Sequence, residues 1–283
     1  MNEVTVNEVG PRDGLQNIKN EIPIHRKIQL KDILSTTGIK KIECGSFVSA
    51  KWVPQMRGTD QIFQEILRKD GVKYTALTPN LKGFENAMNV KVDEIAVFAA
   101  ASETFSQKNV NCSIAESLAR FEDIFKKAKQ KKIPVRGYVS CIVECPYEGK
   151  VKPEKVLEVT SRLLDMGCYE VSLGDTIGKG TPKTVEALLK VICENLHAQQ
   201  LAGHFHDTSD TAIKNVEIAL KYGITTFDTA IGGLGGCPYA PGAKGNLSTV
   251  QLINAIGINS FIGALDLEKL LYAEKYLTSM LKN

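Results

Sequence analysis

Two histidines stand two residues apart in HFHDT (204–208), and a glycine-rich loop, GLGGCPYAPGAKGN (233–246), follows one strand later. Successive strand side chains point to opposite faces, so His204 and His206 share one face, about 6 to 7 Å apart along the chain. That spacing suits two ligands on one metal. The alternative is a pair of inward-facing polar core residues. Asp207 and Thr208 following at once, and only two other histidines in the chain, favour the metal. Completed by Asp13 and Asn246, the set has two nitrogen and two oxygen ligands and room for substrate oxygens. This cysteine-free mixture favours octahedral Mg²⁺ or Mn²⁺, and tolerates Zn²⁺ or Co²⁺, over a closed structural zinc.

Further chemistry-bearing residues lie elsewhere. Arg12 and Asp13, in GPRDGLQN (10–17), have turn composition and alone read as a surface turn. At the end of a strand they can divide the work, Asp13 to a metal and Arg12 to negative charge on a reacting oxygen. Glu43 and Asp175 read either as solvated strand-end carboxylates or as groups that orient the imidazoles or Arg12. Cys237, between Gly236 and Pro238, is a candidate for acid/base work, against an inert small residue. Lys19 is a weaker candidate for a phosphate contact, and the run KKAKQKK (126–132) reads as a solvated helix face.

These residues need a frame that converges their side chains. Strands are expected at Thr5–Val9, Lys41–Phe47, Lys73–Leu77, Glu94–Ala100, Val135–Val143, Glu170–Leu173, Leu201–Phe205 and Thr225–Ile231. Helices are expected near 24–37, 59–69, 80–89, 113–131, 153–166, 182–196, 211–222 and 248–256. About eight βα units at spacings of roughly 30 to 40 residues specify an α/β fold, a (β/α)₈ TIM barrel with an additional C-terminal helix over Leu267–Leu281. A doubly wound sheet usually has fewer strands and an early glycine-rich phosphate turn. The expected organisation is one catalytic domain, 1–283, with 257–283 as its helical extension. In a barrel, the chemistry collects at the C-terminal ends of the strands.

Composition narrows the classes further. With 43% hydrophobic and 24% charged residues the chain has the make-up of an ordinary globular protein. A net charge of +3 is too small to argue for nucleic acid, and no such partner is expected. Seven cysteines without a CxxC pair, and no apolar opening segment, point to reduced thiols in the cytoplasm. No apolar run approaches the ~18 residues of a membrane span.

GPRDGLQN (10–17), SFVSAKWVPQM (46–56), LTPNLKGFENA (77–87), VRGYVSC (135–141), CPYEGKV (145–151), GCYEVSLGDTIG (167–178), HFHDT and the 233–246 loop together resemble the 3-hydroxy-3-methylglutaryl-CoA lyase family. The match spreads from about residue 4 to 250, and the cysteine loop is its most specific part. The resemblance implies a retro-Claisen cleavage of a small acyl-CoA into acetyl-CoA and acetoacetate, with leucine breakdown and ketone-body formation as the usual setting. It implies Asp13, His204, His206 and Asn246 as metal ligands, Arg12 as enolate stabiliser and Cys237 as the catalytic loop cysteine. Glu43 and Asp175 match carboxylates near the metal, and Gln16 and Ser46 lie beside the substrate. Assembly stays open, with a homodimer among the options.

Two segments depart from the family pattern. Ser209, Asp210 and Thr211 stand where an aromatic-Gly-Gln segment is frequent, and Cys44 and Gly45 where two threonines are. Neither removes a ligand, but both lie near the mouth and bear on the acyl group accepted. The rivals are a lyase on a related 3-hydroxy-3-alkylglutaryl-CoA, a Claisen-type synthase of the same superfamily, and a metal-dependent amidohydrolase, which usually carries its HxH on the first strand.

Overall fold

The computed structural model describes residues 3–235 and 245–282. Eight parallel strands close into a barrel in sequential order: β1 (Thr5–Glu8), β2 (Lys41–Ser46), β3 (Lys73–Leu77), β4 (Glu94–Ala100), β5 (Val135–Ser140), β6 (Glu170–Asp175), β7 (Leu201–Phe205) and β8 (Thr226–Thr229). The expected TIM barrel is therefore the observed fold.

Period-two alternation divides every wall into two chemistries. Ile95, Val97 and Ala99 of β4, Val171 and Leu173 of β6, and Phe227 of β8 join the main core against the helices. Burying each large apolar side chain contributes about 1.5–3 kcal/mol. The alternate residues face inward and many are polar. Near the N-terminal end, Lys41 Nζ meets Glu94 Oε2 at 3.1 Å and Arg136 Nε meets Glu170 Oε1 at 2.6 Å. Leu77, Ala96 and Tyr138 form a small apolar cluster inside the same barrel. The interior is packed and charged rather than uniformly aliphatic, with its charged side chains paired across strands.

The helices follow local signals. Helix α5 (Ile114–Lys131) starts at Ser113, whose hydroxyl accepts from Glu116 N while Glu116 accepts from Ser113 N. Pro153 opens α6 (Pro153–Met166), and Gly167 ends it at φ 118°, a conformation that favours glycine. The remaining helices are α1 (Ile24–Leu34), α2 (Thr59–Glu65), α3 (Leu81–Asn89), α4 (Glu103–Val110), α7 (Pro182–Asn195), α8 (Ala212–Lys221), α9 (Thr249–Ile256) and α10 (Leu267–Lys282). The last is the expected extra helix, and Tyr276 of α10 donates to Gln29 Oε1 of α1 at 2.9 Å.

Three local features differ from expectation. Helix α4 was not anticipated; the Ser102 hydroxyl accepts from Phe105 N and caps it. Strand β5 stops at Ser140 rather than running to 143, because Cys141 takes a positive φ of 62° and donates its N–H to Thr176 Oγ1. Beyond it, Glu144–Cys145 pairs with Gly149–Lys150 as a short antiparallel hairpin.

Glu8 seals the seam between β1 and β8. It is fully buried, accepts from Gly10 N at 2.9 Å and Ile231 N at 2.8 Å, and receives the Thr249 hydroxyl at 2.6 Å. Burial raises its pKa from 4.5 to about 7, against the pull of those hydrogen bonds. Between pH 4.5 and about 7 the folded state keeps a proton that the unfolded chain has released, so stability falls as pH rises, by about 3 kcal/mol in all. Glu8→Gln should remove that slope. In denaturant titrations across this range the variant is expected to gain on the wild type as pH rises; a constant gap would contradict the burial argument.

Candidate active site at the C-terminal mouth of the barrel

The first motif reaches the mouth on a wide turn over Gly10–Gly14, in which Gly14 N and Leu15 N donate to carbonyls five residues back, on Val9 and Gly10. This turn carries Arg12 and Asp13. Arg12 is nearly buried, with Nε at 2.9 Å and Nη2 at 2.8 Å from Glu43 Oε2, and Nη1 on Asp13 Oδ1. The guanidinium is thus fixed in plane while N–H groups are left over. Gln16 Nε2 donates to Asp13 Oδ1 at 2.9 Å. Tyr138 donates to Glu43 Oε2 at 3.0 Å, and its ring lies 5.3 Å from the Arg12 guanidinium.

Strand β7 supplies the histidines. His204 faces inward opposite Gly174 of β6 and Asp228 of β8, and His206 follows two residues on. Their ring centroids are 5.4 Å apart. Asn246 arrives from the far end of the glycine-rich loop. Asp207 N donates to Gly245 O and Leu247 N to Phe205 O, so the returning segment lays Asn246 beside His206. Gly235 at φ 97° turns the outgoing side, where a Cβ would collide with Asn246 Nδ2.

These residues fit a cation. Ligand atoms of Asp13, His204 and His206 lie within 4.8 Å of one another. Asn246 Nδ2 donates to Asp13 Oδ2 and Leu234 O, which leaves its buried Oδ1 without a partner among the described residues. His206 Nδ1 is likewise buried and unpartnered. Buried polar atoms are ordinarily hydrogen-bonded, so two orphans beside a carboxylate fit a cation that would accept their lone pairs. A cleft of about 620 Å³ runs from Asn246 and Ser248 to Leu277 and Leu281 of α10, and Arg12, Asp13, His204 and His206 do not line it.

The electrostatics prepare the ligands. Burial opposes charge on Asp13, but Arg12, His204 and His206 outweigh it and hold the carboxyl below its usual range. Burial, helped by His204, pushes His206 down to about 4, so its imidazole is neutral. His204 moves the other way: burial disfavours its charge, and the hydrogen bond to Asp228 overcomes that. Arg12 is locked as a cation, since Glu43 and Asp13 more than offset its burial. Ligation requires deprotonated donors, and Asp13 and His206 meet that condition at neutral pH.

Among the residues singled out from sequence, Arg12, Asp13, Gln16, Glu43, His204, His206 and Asn246 converge here. Asp175 accepts from Lys179 N at 3.1 Å and Gly180 N at 2.8 Å, so its carboxylate caps the loop after β6 while still feeling the charge of His204. Ser46 is buried, and its hydroxyl accepts from Val48 N at 3.2 Å. Cys237 lies outside the described residues. Lys19 is exposed.

Tyr138, Arg136 and Asp228 were missed. Arg136 and Tyr138 lie inside the quoted VRGYVSC segment, and their two-residue spacing on an expected strand puts them on one face, the signal that could have found them. The departures have a visible consequence. Ser209 Oγ donates to Gly178 O and Thr211 Oγ1 to Gly180 O, both at 2.7 Å, which clasps the loop that Asp175 caps.

Comparison with known proteins places the chain. Residues 3–277 match the HMGL-like family. The chain is 49% identical, over 99% of its length and 86% of the relative, to the mitochondrial hydroxymethylglutaryl-CoA lyase of Bos taurus. It is 51% identical, over 91% of its length and 87% of the relative, to a Pseudomonas aeruginosa protein named 3-hydroxy-3-isohexenylglutaryl-CoA/hydroxymethylglutaryl-CoA lyase. The crystal structure of the Brucella melitensis HMG-CoA lyase superposes with a TM-score of 0.97 at 47% identity, over 100% of both chains. An Acinetobacter baumannii HMG-CoA lyase solved with coenzyme A and 3-methylmalate gives 0.93 at 36% identity, covering 99% of this chain and 92% of that one.

Proposed function

The chain belongs to the HMGL-like family, and from that membership we propose that it is a carbon–carbon lyase cleaving 3-hydroxy-3-methylglutaryl-CoA to acetyl-CoA and acetoacetate in a metal-assisted retro-Claisen reaction. The observation that carries this reading is the joining of Asp13, His204, His206 and Asn246 around unpaired donor atoms, with Arg12 fixed alongside. The whole chain, 1–283, acts as one catalytic domain, with 257–283 as its helical extension.

Asp13, His204, His206 and Asn246 would hold the cation, for which the two-nitrogen, two-oxygen set favours Mg²⁺ or Mn²⁺. When bound, the cation supplies Lewis acidity that makes the substrate's tertiary hydroxyl more acidic and orients the bond that breaks. Arg12 aims its remaining N–H groups at the thioester oxygen, where negative charge develops as the acetyl-CoA enolate leaves. Glu43 and Tyr138 keep that guanidinium from turning toward the cation. Asp175, raised by burial to about 6, is ionised at neutral pH and has lone pairs beyond its two amide bonds, so it can accept a proton. Gln16 and Ser46 lie on the segments that flank the substrate.

The protonation of the enolate carbon is assigned to Cys237 from its place in the loop sequence. Cys237→Ala should leave the fold and the affinity for Mn²⁺ unchanged while turnover falls by two or more orders of magnitude, a loss of the size general acid catalysis supplies. Undiminished turnover would reduce the loop to a cover.

A second reading, a lyase for a longer-branched 3-hydroxy-3-alkylglutaryl-CoA, is favoured by the name of the 51% identical P. aeruginosa relative. One assay separates them: with Mg²⁺ or Mn²⁺ the purified protein should release acetyl-CoA from 3-hydroxy-3-methylglutaryl-CoA, and chelation should stop it. Cleavage of the longer analogue alone would select the second reading. Six free cysteines and no disulfide among the described residues support a reducing compartment, and we assign the cytoplasm. No helix of the described residues is long and apolar enough to cross a membrane.

A further inference from the structure

Beneath the mouth, the barrel interior holds a carboxylate with no part in the reaction as described. Asp228 is about 1% exposed and is gripped from three strands besides its own and β7. Asn7 Nδ2 donates to Oδ1 at 2.8 Å, Arg136 Nη2 reaches Oδ1 at 2.9 Å and Nη1 reaches Oδ2 at 3.2 Å, and Ser172 Oγ donates to Oδ2 at 2.6 Å. Arg136 is itself held by Glu170, at 2.6 Å. One further contact points upward, with His204 Nδ1 at 3.1 Å from Asp228 Oδ2.

A carboxylate already paired with a guanidinium only accepts hydrogen bonds, so Nδ1 of His204 must carry its hydrogen. In the neutral ring that ligation requires, Nε2 is then the nitrogen with a lone pair, and it lies 3.9 Å from Asp13 Oδ2, on the side of the site. His206 has no such support, since its Nδ1 is without a partner among the described residues. The two imidazoles of one site are therefore held unequally.

We propose that Asp228 is a positioning residue for the cation site, fixing the tautomer and ring plane of His204 through Nδ1 so that Nε2 is presented to the cation, with Arg136 anchoring Asp228 from below. The inference rests on the cation reading given above. Partners of this kind typically contribute 10- to 100-fold in metal affinity. Their effect acts on the ligand, before any substrate is present.

The test uses the full-length protein freed of metal and needs no turnover. Calorimetric titration with Mn²⁺ should give Asp228→Asn a dissociation constant about 10- to 100-fold above wild type. In ¹⁵N-histidine-labelled wild type, His204 should show a protonated Nδ1, and titration with Mg²⁺ should move its Nε2 signal; Asp228→Asn should show mixed tautomers. The wild-type spectrum decides the matter even if the variant does not fold. Unchanged Mn²⁺ affinity in Asp228→Asn, or a His204 whose Nδ1 responds to Mg²⁺, overturns the inference and leaves the cation site standing. Histidine signals that ignore Mg²⁺ altogether remove the site and the inference with it.

Discussion

Arg12→Gln is expected to lower kcat at least 10²- to 10³-fold, the usual cost of losing one oxyanion donor, while Mn²⁺ binds nearly as in the wild type. The separation follows from the contacts. Arg12 touches the site through Asp13 Oδ1 and Glu43 Oε2, and it shares no atom with the histidines or Asn246. Glutamine keeps a neutral donor at the shorter end of the same turn but cannot place positive charge on the enolate oxygen. Because that charge develops only in the transition state, kcat and kcat/KM should fall together with KM little changed. Steady-state kinetics at saturating Mn²⁺ provide the check. Normal turnover would take enolate stabilisation away from Arg12, and a matching collapse of Mn²⁺ affinity would make it a structural clamp on Asp13.

His206→Ala should abolish measurable cleavage at Mg²⁺ concentrations that saturate the wild type, with a loss in Mn²⁺ affinity exceeding the 10- to 100-fold typical of groups that merely support a ligand. His206 is the cleanest ligand to remove. Its Nδ1 makes no hydrogen bond among the described residues, so truncation strands no buried partner and costs only the cavity. Removing Asp13 would instead release Arg12, Gln16 and Asn246 together. Thermal unfolding without metal should be little affected, whereas the stabilisation that Mn²⁺ confers on the wild type should disappear. Wild-type Mn²⁺ affinity in this variant would strike His206 from the ligand set.

Much of this arrangement was legible because strand periodicity is stiff. His204 and His206 share a face wherever the strand lies, and once eight βα units close into a barrel, the ends of β1, β2 and β7 must meet. Glu43 reaching Arg12, and Asn246 reaching the histidines, follow from that convergence. What the sequence did not reveal is how one inward position answers another across the barrel. Asp228 and Arg136 are 92 residues apart, and no local pattern marks them as partners. Their charge on otherwise uncharged strands was a clue that something buried must pair with them. The bonds of Asp175 escaped for a different reason: they depend on loop geometry, where Lys179 N and Gly180 N curl back onto it. The early end of β5 likewise turns on a positive φ at Cys141, a residue type that gives no warning of one.

The barrel thus carries two layers of organisation in one set of strands. Outward residues supply cohesion, and inward residues form a column of ion pairs from Glu170 through Arg136 to Asp228, continued by a hydrogen bond to His204. Anchoring His204 in that column keeps this ligand in place without relying on the loops above.

The most direct test of the whole account is anomalous diffraction from crystals of the protein grown with Mn²⁺. A single strong peak within coordination distance of Asp13, His204, His206 and Asn246 is the predicted result. A peak elsewhere, or none at that mouth under concentrations that support cleavage, would contradict it.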